Sequence, residues 1–406
     1  MSDLTNCVRH NCRLVEGVGR RSDSFTPDAV DTKMLKNEVA RYVPDMLMIG
    51  ASGSKIGKTR FACELLRTFS KQFSIDGVKV TTVRERNGTC PRGGAGCGVC
   101  GSLSGNYEIV EEHDVAGRKD TSKLLSAGAR RVFWLRAHRE HIQEGAVELE
   151  ECRGFGNPCI CESNTMRLVI EPGIFLMVTQ GSTMKDSARE VLGFADRILT
   201  IEKDNLKFDL STISFREGSW LIRERASAII LAGGKSTRMG SEKALLSING
   251  VPLIRSALQQ LSPSFSEVLI SSATTSQYGF CGARVVPDSE SNLGPIGGIA
   301  TAMESAVNDV CFVVACDIPR ISVRVLRKMF RALSGADGVV PTIKGKIEPL
   351  FAIYTKRMLP AIRKAIASGE RRIRMVYPEC QIRYVEIDDP IINLNTREEY
   401  RRYLEM

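Results

Sequence analysis

The stretch Leu231-Ala-Gly-Gly-Lys-Ser-Thr-Arg-Met-Gly-Ser-Glu-Lys243 decides how the chain is read. It follows Ala228-Ile-Ile-Leu231, an apolar run of the buried-strand type, and Gly233 and Gly234 then let the main chain turn sharply beneath a phosphate chain. Lys235, Arg238 and Lys243 add three cations to the turn. A strand, a glycine loop and clustered cations in that order form a cradle for a nucleoside triphosphate.

Downstream of this cradle, strand-like runs recur at Glu267–Ser271, Cys311–Ala315, Gly338–Pro341, Leu350–Tyr354 and Arg383–Ile387, separated by segments of helical length. The alternation predicts an α/β sheet, mostly parallel, with ligands at the carboxyl ends of its strands. Two aspartates stand at such ends. Asp317 closes the run Val313-Val-Ala-Cys-Asp317-Ile-Pro, where a magnesium ligand beside a triphosphate belongs, although an aspartate before Ile-Pro is also a plain turn former. Asp288 follows Val285-Val-Pro, and Gly294-Pro-Ile-Gly297-Gly298 reads as a loop that admits a flat base or a second substrate to the main chain.

Upstream, Met46-Leu-Met-Ile49 opens into Gly50-Ala-Ser-Gly53-Ser-Lys-Ile-Gly57-Lys58-Thr59 and then into a helix-patterned segment. This is the setting of a P-loop: backbone amides cradle phosphate, Lys58 reaches the terminal phosphates, and the Thr59 hydroxyl is placed for magnesium. One position departs, because the first glycine of the usual spacing falls on Ser52. Further strands are expected at Val78–Val83, Arg131–Leu135 and Phe175–Val178, with a helix around Asp120-Thr-Ser. The buried run Cys159-Ile-Cys-Glu162 ends in a carboxylate, the candidate holder of a magnesium ion or its water. Lys185-Asp-Ser187 could touch a base, and reads more readily as a helix cap. Cys90, Cys97 and Cys100 lie among glycines that allow several sulfurs to converge, a pattern suited to zinc or an iron–sulfur cluster and also met in free thiols on a flexible loop. Cys7, Cys12, His113, Cys159 and an external ligand are the candidates for a fourth ligand.

The chain has 406 residues, 43% hydrophobic and 25% charged, with a formal charge of +9. Such a length calls for two cores, and the proportions are those of a soluble globular protein. The basic residues are dispersed rather than gathered into a tail, which favours anionic small molecules over nucleic acid. No apolar stretch is long enough to span a bilayer and Met1–Arg20 lacks the core of a signal peptide, so a cytoplasmic protein with no membrane partner is expected. Thirteen unevenly spaced cysteines fit burial or metal ligation better than a disulfide framework. Residues 1–43 read as an irregular extension, 44–223 as a P-loop domain and 224–406 as a second α/β domain, with the charged 202–225 region as the edge between them. Within that edge, Lys207–Ser214 and Trp220–Ile222 look strand-like.

The order Leu231–Gly240, Lys243, Asp288, Gly294-Pro-Ile-Gly-Gly298, Cys316-Asp-Ile-Pro319, Gly369-Glu-Arg-Arg372 and Asn393-Leu-Asn395 closely resembles the molybdenum cofactor guanylyltransferases, MobA, over residues 226–406. The P-loop, the Asp120-Thr121 and Ala127-Gly-Ala129 segments and Glu162-Ser-Asn164 resemble the P-loop molybdopterin-guanine dinucleotide biosynthesis protein B family, MobB, over residues 44–200. Two features depart from that second family: Arg84-Glu-Arg86 stands where histidines are usual, and the cysteine loop is an addition.

The resemblances imply a P-loop NTPase-like domain followed by a Rossmann-like nucleotidyltransferase domain of the nucleotide-diphospho-sugar transferase type. They imply transfer of GMP from GTP to the terminal phosphate of molybdopterin, with magnesium as cofactor. Molybdenum insertion proteins and recipient molybdoenzymes would be partners. Gly233, Gly234, Arg238 and Lys243 would hold the triphosphate, Leu231 and Asp288 the guanine end, and Asp317 the magnesium. Gly297, Arg371, Arg372, Asn393 and Asn395 would face the pterin substrate. Arg238, Lys243 and Asp317 would be the catalytic group. Replacement of a frequent asparagine in the Ser271-Ser272 region weakens the implied guanine specificity. A CTP-using sister enzyme, another small-molecule nucleotidyltransferase, and a nucleotide-binding adapter or metal-cluster scaffold are the alternatives.

Overall fold

A computed structural model describes residues 40–83, 103, 105–154, 156–181, 183–202, 205–233, 243–274, 276–288 and 293–405. Cys90, Cys97, Cys100, Gly234, Lys235 and Arg238 lie outside the described residues, as does most of the expected N-terminal extension.

The first sheet is built from β1 (Arg41–Ala51), β2 (Asp76–Val83), β3 (Tyr107–Glu112), β4 (Val132–His138), β5 (Cys159–Glu162), β6 (Ile170–Thr179), β7 (Arg197–Glu202) and β8 (Asn205–Leu206), in the order β3-β4-β2-β5-β1-β6-β7-β8. The central strand β1 pairs in parallel with β5 and β6, and Met46–Ile49 are wholly buried. That explains a continuous rather than alternating apolar run: both faces of a parallel sheet are covered. The helices are α1 (Lys58–Phe69), α2 (Asp120–Ser126), α3 (Ile142–Arg153) and α4 (Asp186–Leu192). Strand β1 starts at Arg41, inside the expected extension. Lys185 precedes α4 without a side-chain cap and Asp186 lies in its first turn, so the cap expected there does not form.

The charged segment after β8 is not a bare edge. Lys207–Ser214 is mostly irregular with a 3₁₀ turn at Leu210–Thr212, not the expected strand. It leads into a hairpin of β9 (Ile213–Arg216) and β10 (Ser219–Ile222). The turn residues Glu217 and Gly218 both have positive φ, the geometry a tight two-residue hairpin requires. Trp220 is fully buried, meets Phe69 edge-on at 5.2 Å and donates from Nε1 to the Asp45 carbonyl at 2.9 Å. Ile213, Trp220 and Ile222 belong to the same apolar cluster as α1.

The second sheet contains β11 (Glu224–Leu231), β14 (Phe265–Ser272), β15 (Arg284–Pro287), β16 (Val310–Ala315), β17 (Gly338–Ile343), β18 (Lys346–Ile347), β19 (Phe351–Thr355) and β20 (Ile382–Glu386), while β12 (Ser247–Ile248) and β13 (Val251–Pro252) form a small separate ribbon. Its order is β15-β14-β11-β16-β19-β17-β18, with β20 on β17. Strands β15, β14, β11 and β16 run parallel, whereas β19 is antiparallel to β16 and β17, so the sheet is mixed. Separate apolar clusters cover its two faces. The helices are α5 (Leu253–Leu261), α6 (Pro295–Ser305), α7 (Val323–Ala332), α8 (Leu359–Ala367) and α9 (Arg397–Leu404).

Three arginines of α7 reach the first sheet. Arg327 donates from Nη1 to the Pro172 carbonyl at 2.7 Å and from Nε to Asp196 Oδ1 at 3.1 Å, Arg331 reaches the same oxygen at 2.9 Å, and Arg324 donates to Glu171 Oε2 at 2.8 Å. Asp196 also accepts from the Phe175 amide at 2.7 Å. Burial pushes the Asp196 carboxyl up, but Arg327, Arg331 and the amide outweigh it and hold the group below its usual range.

Candidate functional site

The parallel register of the second sheet sets the candidate residues side by side. Leu231 of β11 pairs with Ser271 of β14 and with Ala315 of β16, while Ser272 pairs with Pro287 of β15. Beyond these pairs, the Ala232 amide donates to Ser271 O at 2.9 Å, and the Cys316 amide to Leu231 O at 3.1 Å. The strand ends therefore read Asp288, Ser271, Gly233, Asp317 in spatial order. Asp288 and Asp317 are three strand spacings apart, about 14 Å, room for a base at one end and phosphates at the other.

Asp317 is mostly buried. Its Oδ2 accepts from Lys243 Nζ at 2.8 Å, and Oδ1 is buried with no hydrogen-bond partner. An orphaned carboxylate oxygen beside the Lys243 ammonium fits a magnesium ion, which binds one or two carboxylates and completes its shell with phosphate oxygens and waters. No group of three His, Cys, Asp or Glu suited to a metal occurs among the described residues, so phosphates would have to supply the remaining ligands. Lys243 Nζ also donates to Asn395 Oδ1 at 3.1 Å, and the Leu394 amide donates to Asp317 O at 2.9 Å. Fully buried Leu394 anchors this segment, and a Thr396–Glu399 capping box starts α9 directly after it. Asn393 lies against Glu348, whose carboxyl burial raises above its usual range, with Asn393 opposing the shift.

The glycine loop at 294–298 is corrected by the structure. Pro295 is the first residue of α6, and Gly297 and Gly298 are buried within its first turns. Proline at a helix start is pre-set in φ and gives up an amide that has no partner there. Only Gly294, at φ 69°, keeps the turn character expected, and a Cβ on it would lie 3.5 Å from the Arg371 carbonyl. That brings Arg371 to the turn. Arg372 is engaged locally: Glu370 accepts from the Arg371 amide at 2.8 Å and from Arg372 N and Nε at 2.9 and 3.1 Å, and the Arg372 bond first, then the amides, hold its carboxyl down at about 2.

The first sheet gathers a second constellation. Gly57 adopts φ 86° at the start of α1, putting Lys58 and Thr59 in the opening turn, and Gly53 lies in the irregular loop before it. Thr59 Oγ1 donates to Glu162 Oε2 at 3.1 Å, while Glu162 is 1% exposed and its Oε1 has no partner. That is the same orphaned-oxygen signature as at Asp317, and it fits a cation shared with phosphate. Burial lowers the Lys58 ammonium from its usual range, against the pull of Glu162. Ser52, in the place of the usual first glycine, is buried; its amide donates to Val178 O at 2.8 Å and its hydroxyl accepts from the Gln180 amide at 3.3 Å. Asn164 clamps Ala51 from both sides, accepting from its amide at 2.8 Å and donating to its carbonyl at 3.0 Å.

Several residues went unnoticed in the sequence. Lys79 Nζ bridges Asp120 Oδ2 at 2.5 Å and Glu162 Oε2 at 3.6 Å, adding a cation beside the Thr59 site. Its place on a strand two residues from Thr81 gave no signal. Glu348 likewise carries no motif of its own, and Ser271 stands out only as a replacement for an asparagine, not as a partner of Asp288. Cys159 and Cys161 are fully buried, and burial raises both thiols.

The geometry of the second sheet, with a triphosphate-sized row of strand ends closed by Lys243 and a half-satisfied aspartate, defines a nucleotidyltransferase. Residues 228–383 match the family described as MobA-like NTP transferase domain. A probable molybdenum cofactor guanylyltransferase of Carboxydothermus hydrogenoformans is 32% identical over 192 residues, 45% of this chain and 97% of that protein. One from Pelotomaculum thermopropionicum is 36% identical, covering 42% and 88%, and the molybdenum cofactor guanylyltransferase of Vibrio vulnificus is 34% identical, covering 44% and 94%. The chain belongs to the MobA-like nucleotidyltransferase family of molybdenum cofactor biosynthesis. Among the described residues no helix is long and apolar enough to cross a membrane.

Proposed function

We propose that residues 224–406 transfer GMP from GTP to the terminal phosphate of molybdopterin, releasing pyrophosphate. The observation that carries this reading is Asp317, buried beside Lys243 with one carboxylate oxygen unclaimed. A phosphate oxygen of the pterin attacks the α-phosphorus, a new P–O bond forms, and the bond to the bridging oxygen breaks with its electron pair leaving on pyrophosphate. No protein nucleophile is needed, so the residues act by alignment and by neutralising charge. Magnesium, when bound at Asp317, supplies charge neutralisation on the triphosphate. Lys243, now paired with Asp317, is within reach of the same phosphates, and Arg238 is assigned to them from the sequence alone. Leu231 and Asp288 form the guanine end, and Gly233 and Gly234 hold the triphosphate. Arg371, Asn393, Asn395, the Gly294 turn and Gly297 in the first turn of α6 form the pterin side, with Arg372 beside them.

The guanine assignment is supported at Gly233. An added Cβ there would stand 3.0 Å from Asp288 Oδ2, so the bare backbone keeps that carboxylate open to a base. Residues 44–223 serve in this reading as an accessory P-loop domain that binds a nucleoside triphosphate through Gly53, Gly57, Lys58 and Thr59, with Glu162 as the partner of its magnesium ion. The test is direct: with GTP, magnesium and molybdopterin, the wild-type chain forms the guanine dinucleotide, and Asp317→Ala abolishes magnesium-dependent pyrophosphate release while melting normally. Retained release by Asp317→Ala would sink the assignment. A product made from CTP alone would replace the guanylyl reading by the cytidylyl one.

A further inference from the structure

Ser271 has no assigned role, yet it is the hydroxyl on which the geometry of Asp288 depends. It is 2% exposed, and its Oγ lies 2.7 Å from Asp288 Oδ1 and 3.3 Å from the Gly298 carbonyl. A hydroxyl has one proton to donate, and the nearer, charged oxygen is the stronger acceptor. The strand register fixes this hydroxyl in place, since Ser271 pairs with Leu231 on one side and Val286 on the other. It therefore stands between the strand that feeds the phosphate loop and the strand that ends at Asp288.

Two glycines leave the surroundings bare. A Cβ at Gly298 would lie 2.7 Å from Ser271 Oγ and 3.0 Å from Asp288 Oδ1, and one at Gly233 would lie 3.0 Å from Asp288 Oδ2. Either side chain would displace the carboxylate or close it off. Ser271 donates a side-chain hydrogen bond to Asp288. The carboxylate is thus held by Ser271 at Oδ1.

We propose that Ser271 is a positioning residue which, by holding Asp288 Oδ1, fixes the carboxylate plane for a base bearing two adjacent N–H donors and so sets the preference for guanine. A carboxylate can accept two parallel N–H bonds, and guanine presents its ring N–H beside its 2-amino group. Cytosine places one amino donor next to a ring acceptor, which the second carboxylate oxygen repels. The inference rests on the GTP-using reading of residues 224–406 and deepens it.

The experiment is a double-mutant cycle on the full chain, following pyrophosphate release with molybdopterin and either GTP or ITP, which lacks the 2-amino group. Ser271→Ala should raise the KM for GTP about tenfold, the cost of a lost hydrogen bond to a charged group, with little change in kcat or melting temperature. The KM for ITP should rise less, so the preference for GTP over ITP narrows. In an Asp288→Ala background the Ser271→Ala change should have no further effect. An unchanged KM for GTP, or losses that multiply in the double variant, would overturn the proposal. Should the wild-type chain consume CTP and not GTP, the guanylyl reading fails with the proposed preference, whereas an active GTP enzyme with an additive cycle refutes the role of Ser271 alone.

Discussion

Replacing Asp196 by alanine should destabilise the chain at the place where its two sheets meet. Asp196 is 9% exposed and receives Arg327, Arg331 and the Phe175 amide. Removing one partner of a buried ion pair costs about 3–5 kcal/mol, because the opposite charge stays buried without compensation. Here the remainder is severe: Arg327 and Arg331 would face each other with Arg167 nearby. Burial, and then repulsion from Arg331, already pull Arg167 down to about 10. An expected loss of about 4 kcal/mol follows. Denaturant unfolding of the full chain measures it, with the fluorescence of Trp134 and Trp220, both in the first half, reporting that half and far-UV circular dichroism reporting both. Two transitions should separate in Asp196→Ala, since the halves would no longer melt together. Adding Arg327→Met should recover part of the loss by removing the stranded cation. A single variant within about 1 kcal/mol of wild type, with coincident transitions, would refute the reasoning and mark these contacts as surface-like.

Further outcomes can be checked alongside. Because the folded Asp196 carboxyl is held below its unfolded value near 3.8, its contribution is fully present above that value and is lost as pH falls through the lower folded value. Acid titration of the wild-type chain should therefore show a stability loss below about pH 4 that Asp196→Ala lacks. At the other constellation, Lys58→Ala should reduce triphosphate binding by residues 44–223 at least tenfold in equilibrium dialysis, while dinucleotide synthesis continues. Equal loss of synthesis would show that the first site takes part in the transfer itself.

The sequence makes the frame of both sheets legible because buried parallel strands must be apolar on both faces: Met46–Ile49 and Ala228–Leu231 could hardly be anything else. The strand-end carboxylates Glu162, Asp288 and Asp317 are visible for the same reason, as charges that stop an apolar run. What escapes is whatever depends on partners distant in the chain. Arg324, Arg327 and Arg331 have the spacing of an ordinary solvated helix face, and only the folded chain sets them against Glu171 and Asp196. Lys207–Ile222 looks like a charged edge because its fully buried contribution is small, Ile213, Trp220 and Ile222, with Phe208, Leu210 and Phe215 only partly buried against the same cluster. Ser271 is one serine of a pair, and its use is decided by the register of β14 against β15.

Helix α7 begins with Ser322 as its cap, a few residues after Asp317, and ends among the acids of the first sheet. The curated relatives matched here are spanned almost whole by less than half of this chain. A chain severed at Arg223 would consequently release a transferase half carrying a band of guanidinium groups stripped of its counter-charges, prone to capture anions or to cling to acidic surfaces. Anyone seeking the smallest active fragment should redesign that band first, or supply the severed first half in trans and let the arginines find it.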